Sequence, residues 1–98
     1  MTIWNLGSIN ADIVYSVPHI PSPGETLAST GRAVFLGGKG ANMSVAAARA
    51  AARVAHIGAV GADGRCAVER LLGSGVDARP SVQIDVETAR ALSLIHTC

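Results

Sequence analysis

Short β-rich runs and one long alanine-rich stretch alternate along the chain. The first run, Ile3 to Ile9, mixes apolar residues with Gly7 and Ser8. It predicts a buried strand in which glycine leaves room for another backbone or a ligand. Asn10-Ala11-Asp12 follows at its end, and Ile13 to Val17 is short, β-rich and stopped by Pro18. Between Pro18 and Gly24, the residues Pro18, Pro21, Pro23 and Gly24 predict a stiff turn. Leu27 to Phe35 reads as a second extended segment. Two strands joined by a proline-rich turn suggest a hairpin or flap beside the main fold, over about residues 12–36.

Met43 to Val54 is nearly all Ala, Val and Arg, with no Gly or Pro to interrupt it. It predicts a helix. Arg49 and Arg53 share its solvent side, and Val45, Ala48 and Ala52 fall on the other. Val54 to Gly61 reads as a buried strand with a glycine-rich exit. Arg65 to Leu72 carries Cys66, Val68, Leu71 and Leu72 at helical spacing and ends at Gly73 and Gly75. Val76 to Pro80 is a connector, Val82 to Asp85 alternates as a strand, and Ala89 to Ile95 is a further strand. The order predicts the α/β class, a sheet covered by helices. Only two helices are expected, which would leave apolar sheet surface uncovered. The expectation is therefore a truncated domain.

Composition narrows the function classes. The 98 residues suffice for one small domain at most. A hydrophobic share of 49% excludes disorder, and with one Trp, one Tyr and one Phe the core must be built from small side chains. A net charge of +1 supplies no field for nucleic acid or an anionic membrane. No apolar run approaches the ~20 residues that span a bilayer. The first residues lack the basic-then-apolar order of a secretory signal. These features predict a cytoplasmic protein with no nucleic-acid or membrane partner. Cys66 and Cys98 lack metal-ligand spacing and read as reduced thiols, Cys66 buried and inert on its helix. His19, His56 and His96 are too scattered for a metal site. His56 reads as a satisfied core or edge histidine, and Trp4 as core packing.

The densest chemical signal is Leu36-Gly37-Gly38-Lys39-Gly40-Ala41-Asn42, placed before the alanine-rich helix. Glycines allow close backbone approach, and the first N–H groups of a helix lack internal partners at the positive end of its dipole. Phosphate and polyhydroxyl ligands both suit such a place. A P-loop is excluded because Gly40, not Ser or Thr, follows Lys39. The dinucleotide fingerprint is excluded because Met43 stands where its last glycine belongs. A ligand-free glycine turn is the alternative. Asn10 and Asp12 at a strand's carboxyl end, with Lys39 and Asn42 in the loop, bring together two amides, a carboxylate and an ammonium, natural partners for sugar hydroxyls. Against that, Asn42 could be an N-cap and Asp12 a turn residue.

The ordered set Gly7-Ser8-Ile9-Asn10-Ala11-Asp12, Pro23-Gly24-Glu25-Thr26 and Gly37-Gly38-Lys39-Gly40-Ala41-Asn42 resembles the ribokinase-like (PfkB) carbohydrate kinases. Ala46-Ala47-Ala48-Arg49, Ile57 to Gly64 and Gly75-Val76-Asp77 continue the pattern over nearly the whole chain. The resemblance implies the N-terminal part of a three-layer α/β/α domain with a β-flap as lid. It implies that Asn10, Asp12, Gly38, Lys39 and Asn42 hold sugar hydroxyls, and that the flap closes over the sugar and often forms a homodimer contact. It implies an ATP-dependent kinase of a pentose or related sugar, using Mg²⁺ and in some members a monovalent cation. The family's catalytic Asp lies in a Gly-Ala-Gly-Asp motif that does not occur here. Gly61-Ala62-Asp63-Gly64 is read as a turn. No catalytic residue, ATP pocket or metal site is therefore expected in this chain. The alternatives are a non-catalytic sugar-binding or dimerisation module and a nucleoside kinase of the same fold. Met43 stands where the family commonly has Gln, Glu87-Thr88-Ala89-Arg90 occupies its Thr-Gly region, and Ser93 to Cys98 departs from its pattern.

Overall fold

The structure is a computed structural model, and it describes residues 1–96. Cys98 therefore lies outside the described residues. Along the chain run β1 (Thr2–Leu6), β2 (Asn10–Ser16), β3 (Gly31–Gly37), α1 (Lys39–Arg49), β4 (Arg53–Ile57), β5 (Ala59–Val60), α2 (Arg65–Gly73), β6 (Val82–Gln83) and β7 (Ala89–Ile95). A 3₁₀ turn, Ala62–Gly64, leads into α2.

Two layers share the chain. β1 pairs in parallel with β4, Ile3 opposite Val54 and Asn5 opposite His56. β5 continues the line of β4 past Gly58 and pairs in parallel with β6, and a bridge between Ala55 and Asp77 holds the same edge. The flap is a separate three-stranded sheet in the order β3-β2-β7. β2 is central, antiparallel to β3 and parallel to β7. The expected hairpin of β2 and β3 is present, and the expected last strand joins it as a third member. Arg70 of α2 ties the two layers by donating to the Val34 carbonyl in β3.

The core lies where the helices meet the parallel strands. Ile9, Ala41, Val54, Val60, Ala67, Leu71, Val76 and Ala78 are buried in one cluster. Its side chains are mostly small, as the composition requires, and Leu71 and Ile9 are its bulkiest members.

Both helices end by the same device. After α2, Gly75 N–H bonds the Leu72 carbonyl and Val76 N–H bonds the Leu71 carbonyl, with Gly75 at φ 89°. After α1, Ala51 N–H bonds the Ala48 carbonyl and Ala52 N–H bonds the Ala47 carbonyl, with Ala51 at φ 69°. This paired pattern satisfies the last carbonyls only if one residue turns left-handed. The alanine run predicted to continue to Val54 therefore stops at Arg49, and the strand begins sooner than the composition suggested.

Three expectations need correction. The first strand is not buried: Trp4 is 64% and Leu6 77% exposed. Asn5 and His56 point toward α1, where they meet Ser44, so alternation turns Trp4 and Leu6 to the opposite face. Among the described residues no helix covers that face. Trp4 is thus a surface residue, not core packing. Cys66 is exposed as well. The inner positions of α2 are Ala67 and Leu71, one turn apart, and Cys66 lies off that stripe.

Candidate functional site

The glycine loop and the first strand meet backbone to backbone. Gly38 stands at the N-cap of α1 with φ 96°, a conformation that disfavours any side chain. A Cβ there would also lie 2.6 Å from the Ser8 carbonyl oxygen and 3.1 Å from the Asn10 nitrogen. One turn on, a Cβ at Gly40 would lie 2.5 Å from Gly7 Cα. Ala41 N–H donates to the Ser8 carbonyl at 3.0 Å, which fastens the start of α1 to the exit of β1. These contacts explain why the helix begins at Lys39 and not at Met43. They also set aside the N-cap role considered for Asn42. That residue is inside the first turn, its N–H bonded to the Gly38 carbonyl at 2.9 Å.

The pairing of β2 brings the other polar groups to this junction. Asn10 pairs with Gly37, and Asp12 pairs with Phe35. Asn10 and Asp12 are two apart and so share one face of the flap. Both are half-buried, and Lys39 is exposed at the first position of α1. Among the described residues, neither Asp12 nor Lys39 takes part in an ion pair. Nor does the side chain of Asn10, Asp12 or Lys39 make a hydrogen bond among the described residues. The backbone of Gly38 thus meets Asn10, the Asp12 carboxylate lies beside Gly37, and Lys39 follows Gly38 at the start of α1.

Asn42 is placed differently. It lines a cleft of about 730 Å³ between α1 and α2, together with Leu36, Arg49 and Arg70. Leu36 and its strand partner Ala11 face α2. Alternation then puts this cleft on the other side of the flap from Asp12. This cleft and the polar residues of β2 do not coincide.

Sequence reading missed two polar groups. One joins the exit of β5 to the start of β7. Thr88, 4% exposed, accepts from Gly61 N–H at 2.9 Å and donates both its N–H and its hydroxyl to Asp63. Arg90 donates to the other Asp63 oxygen at 2.8 Å. The Arg90 guanidinium, then the Thr88 N–H and hydroxyl, hold the Asp63 carboxyl well below the usual carboxylate range. Asp63 is in a turn, as expected, but it also anchors the strand beside β2. The other is Asn5 with Ser44, under the glycine loop, where they meet His56. His56 is the satisfied core histidine that the sequence suggested, but an Asn within an apolar strand and a Ser within an alanine helix were the only signals of its partners.

Asp12 is the one carboxylate among the candidate residues, and no group of three or more His, Cys, Asp or Glu converges among the described residues. A single carboxylate does not make an Mg²⁺ site among these residues. None of the described helices is long and apolar enough to cross a membrane.

Comparison with known proteins agrees with this architecture. A family model described as pfkB family carbohydrate kinase matches residues 2–97. The chain is 55% identical over 62 residues to the ribokinase of Haemophilus influenzae, covering 63% of this chain and 20% of that protein. The structure is similar to that of a Cryptococcus neoformans ribokinase in complex with ADP, with 42% identity and a TM-score of 0.77 over 93% of this chain and 29% of the other. It is similar also to Arabidopsis thaliana ribokinase complexed with ribose and ATP, with 28% identity and a TM-score of 0.83 over 97% of this chain and 32% of the other. The chain spans about a fifth of the length of the first of these relatives.

Proposed function

The chain belongs to the pfkB family of carbohydrate kinases, and on that footing we propose that it supplies the sugar-binding side of an ATP-dependent kinase acting on a pentose or a related sugar. One observation carries the reading. Asn10 and Asp12 of β2 lie next to Gly37 and Gly38, Lys39 follows directly, and none of the three side chains has a hydrogen-bond or ion-pair partner among the described residues. A sugar needs both donors and acceptors at close range, and this set offers both. The Asp12 carboxylate accepts from hydroxyls, the Lys39 ammonium donates, and the Asn10 amide does either. The backbone N–H of exposed Lys39, at the start of α1, adds a donor along the helix dipole.

The flap is the second element of the proposal. β2 carries Asn10 and Asp12 and is also its central strand, so a sugar held by those residues lies against the base of the flap. Closure would exclude water, a competing phosphoryl acceptor. The same sheet is the surface proposed for a homodimer contact. Leu92 and Leu94 expose apolar surface there.

Phosphoryl transfer requires positioning and charge stabilisation around the phosphates. The groups present address the acceptor sugar alone. The 98-residue chain is accordingly expected to bind sugar and not to phosphorylate it. Calorimetric titration with ribose, related pentoses and a nucleoside tests the reading, alongside a coupled assay with ATP and Mg²⁺. Saturable sugar binding without turnover supports it. Binding of the nucleoside in preference to every sugar would favour a nucleoside kinase of the same fold.

A further inference from the structure

Directly beneath the glycine loop runs a chain of buried polar groups. Asn5 Nδ2 of β1 donates to the Gly40 carbonyl and to Ser44 Oγ of α1, each at 2.9 Å. Ser44 Oγ lies 2.7 Å from His56 Nδ1 of β4. His56 Nε2 lies 3.0 Å from the Gly7 carbonyl oxygen at the end of β1. Ser44 and His56 are both 0% exposed. A carbonyl can only accept, so His56 Nε2 carries a proton. The Ser44 hydroxyl, already accepting from Asn5, then donates to Nδ1. Donation runs one way, from Asn5 through Ser44 and His56 to Gly7, and no buried side-chain polar atom among the described residues is left unpartnered.

Fold stability alone does not call for this arrangement. Replacing both partners of a buried hydrogen bond by apolar groups of similar shape is often nearly neutral. What distinguishes the chain is where its two ends are fixed. They are the carbonyls of Gly7 and Gly40, the two residues whose backbones touch without side chains between them. Glycine-to-glycine packing has no interlocking side chains to set its angle. Directional hydrogen bonds to both carbonyls do set it. Gly7 leads through Ser8 and Ile9 to Asn10, and Gly40 follows Gly38 and Lys39.

We propose that Asn5, Ser44 and His56 are positioning residues that hold the Asn10–Asp12 strand and the Gly38–Lys39 turn at the separation a sugar requires. The inference rests on the sugar-site reading above. Asn5 and His56 act through the two glycine carbonyls and do not touch the ligand.

The test uses the 98-residue chain, isotopically labelled. In the unaltered chain, imidazole nitrogen spectra are expected to show the proton on His56 Nε2, with Nδ1 bare. A proton on Nδ1 alone would overturn the donor order and the proposal. The double variant Ser44→Ala, His56→Phe removes the Ser44 and His56 links, freeing the Gly7 carbonyl from the chain, and leaves only Asn5 on the Gly40 carbonyl. It is expected to melt close to the unaltered protein. Exchange of the Ala41 and Asn42 amides should nevertheless quicken about tenfold, while β1–β4 amides such as Ala55 stay protected. Sugar affinity should drop roughly three- to tenfold, the scale of one or two hydrogen bonds. Unchanged Ala41 exchange and unchanged affinity would mean that the network merely fills the core. A single variant, His56→Gln, covers a double variant that fails to fold. It returns an N–H donor toward Gly7 and should recover part of the protection lost in His56→Phe. Equal exchange in the Gln and Phe variants overturns the proposal. Failure of the unaltered chain to bind any sugar counts against the sugar-site reading alone, because the tautomer and the exchange pattern decide the positioning chain without a ligand.

Discussion

The Asp12 carboxylate lies across Gly37 of the neighbouring strand, so closely that a Cβ at Gly37 would come within 2.2 Å of Asp12 Oδ1. The carboxylate is held at the strand junction by that absence of a side chain. It takes no ion-pair partner there among the described residues. In the proposed sugar site this acceptor, next to the Gly38 turn, takes a hydroxyl donor.

Asp12→Ala is therefore expected to weaken sugar binding by about 1.5–3 kcal/mol, the scale of a hydrogen bond to a charged group. That corresponds to roughly a tenfold to hundredfold rise in Kd. Titration calorimetry on the variant checks it. An unchanged Kd would reduce Asp12 to a turn residue.

Ala51 occupies the left-handed position that Gly75 fills at the end of α2. A non-glycine residue in that region costs ~1–2 kcal/mol, partly offset by the greater freedom of glycine in the unfolded chain. Ala51→Gly is thus expected to stabilise the fold by about 0.5–1 kcal/mol. Gly75→Ala should destabilise it by a similar amount. Urea unfolding of the two variants reads both signs.

The Asp63 carboxyl is lowered from its ordinary value of 3.8 by Arg90 and Thr88. A depressed folded pKa adds stability that is present above the unfolded pKa and lost as pH falls through the folded one. Asp77 behaves alike, lowered to about 2 by Arg79. Melting temperature should therefore drop as pH falls below about 4. Asp63→Asn should be less stable at neutral pH and lose less on acidification. Parallel slopes for the variant and the unaltered chain would contradict this.

Trp4 is the only tryptophan and is 64% exposed on the uncovered face of β1, near Leu6. Its emission should resemble that of a solvated indole at high dilution. The apolar face and the low net charge favour association at micromolar concentration. Emission should then shift to the blue as concentration rises, in step with sedimentation. A monomer by sedimentation with constant emission would show that this face does not associate.

Much of the architecture was legible in local signals. The proline-rich segment from Pro18 to Gly24 foretold a connector between two strands, and Gly37 to Asn42 foretold a turn opening a helix. The run from Ala89 to Ile95 was read as a strand, but not as a third member of the flap. Its pairing with β2 is a contact across most of the chain, Asn10 opposite Ala89, and no local pattern records it. The candidate residues Asn10, Asp12, Gly38 and Lys39 were singled out because glycines and polar side chains fall there in two short runs. Thr88 was not, because its partners Gly61 and Asp63 are distant along the chain.

By itself, then, the sequence determined which segments extend and which coil, since proline, glycine and alanine act on the backbone of their own neighbours. It determined a core of small side chains through composition. The tertiary structure alone decided which face of β1 is covered, turning Trp4 outward and Asn5 inward. It alone decided that Ala51 must turn left-handed and that His56 meets Ser44 under the glycine loop. Burial and hydrogen-bond satisfaction depend on neighbours brought together from distant positions, and those neighbours exist only once the helices lie on the strands.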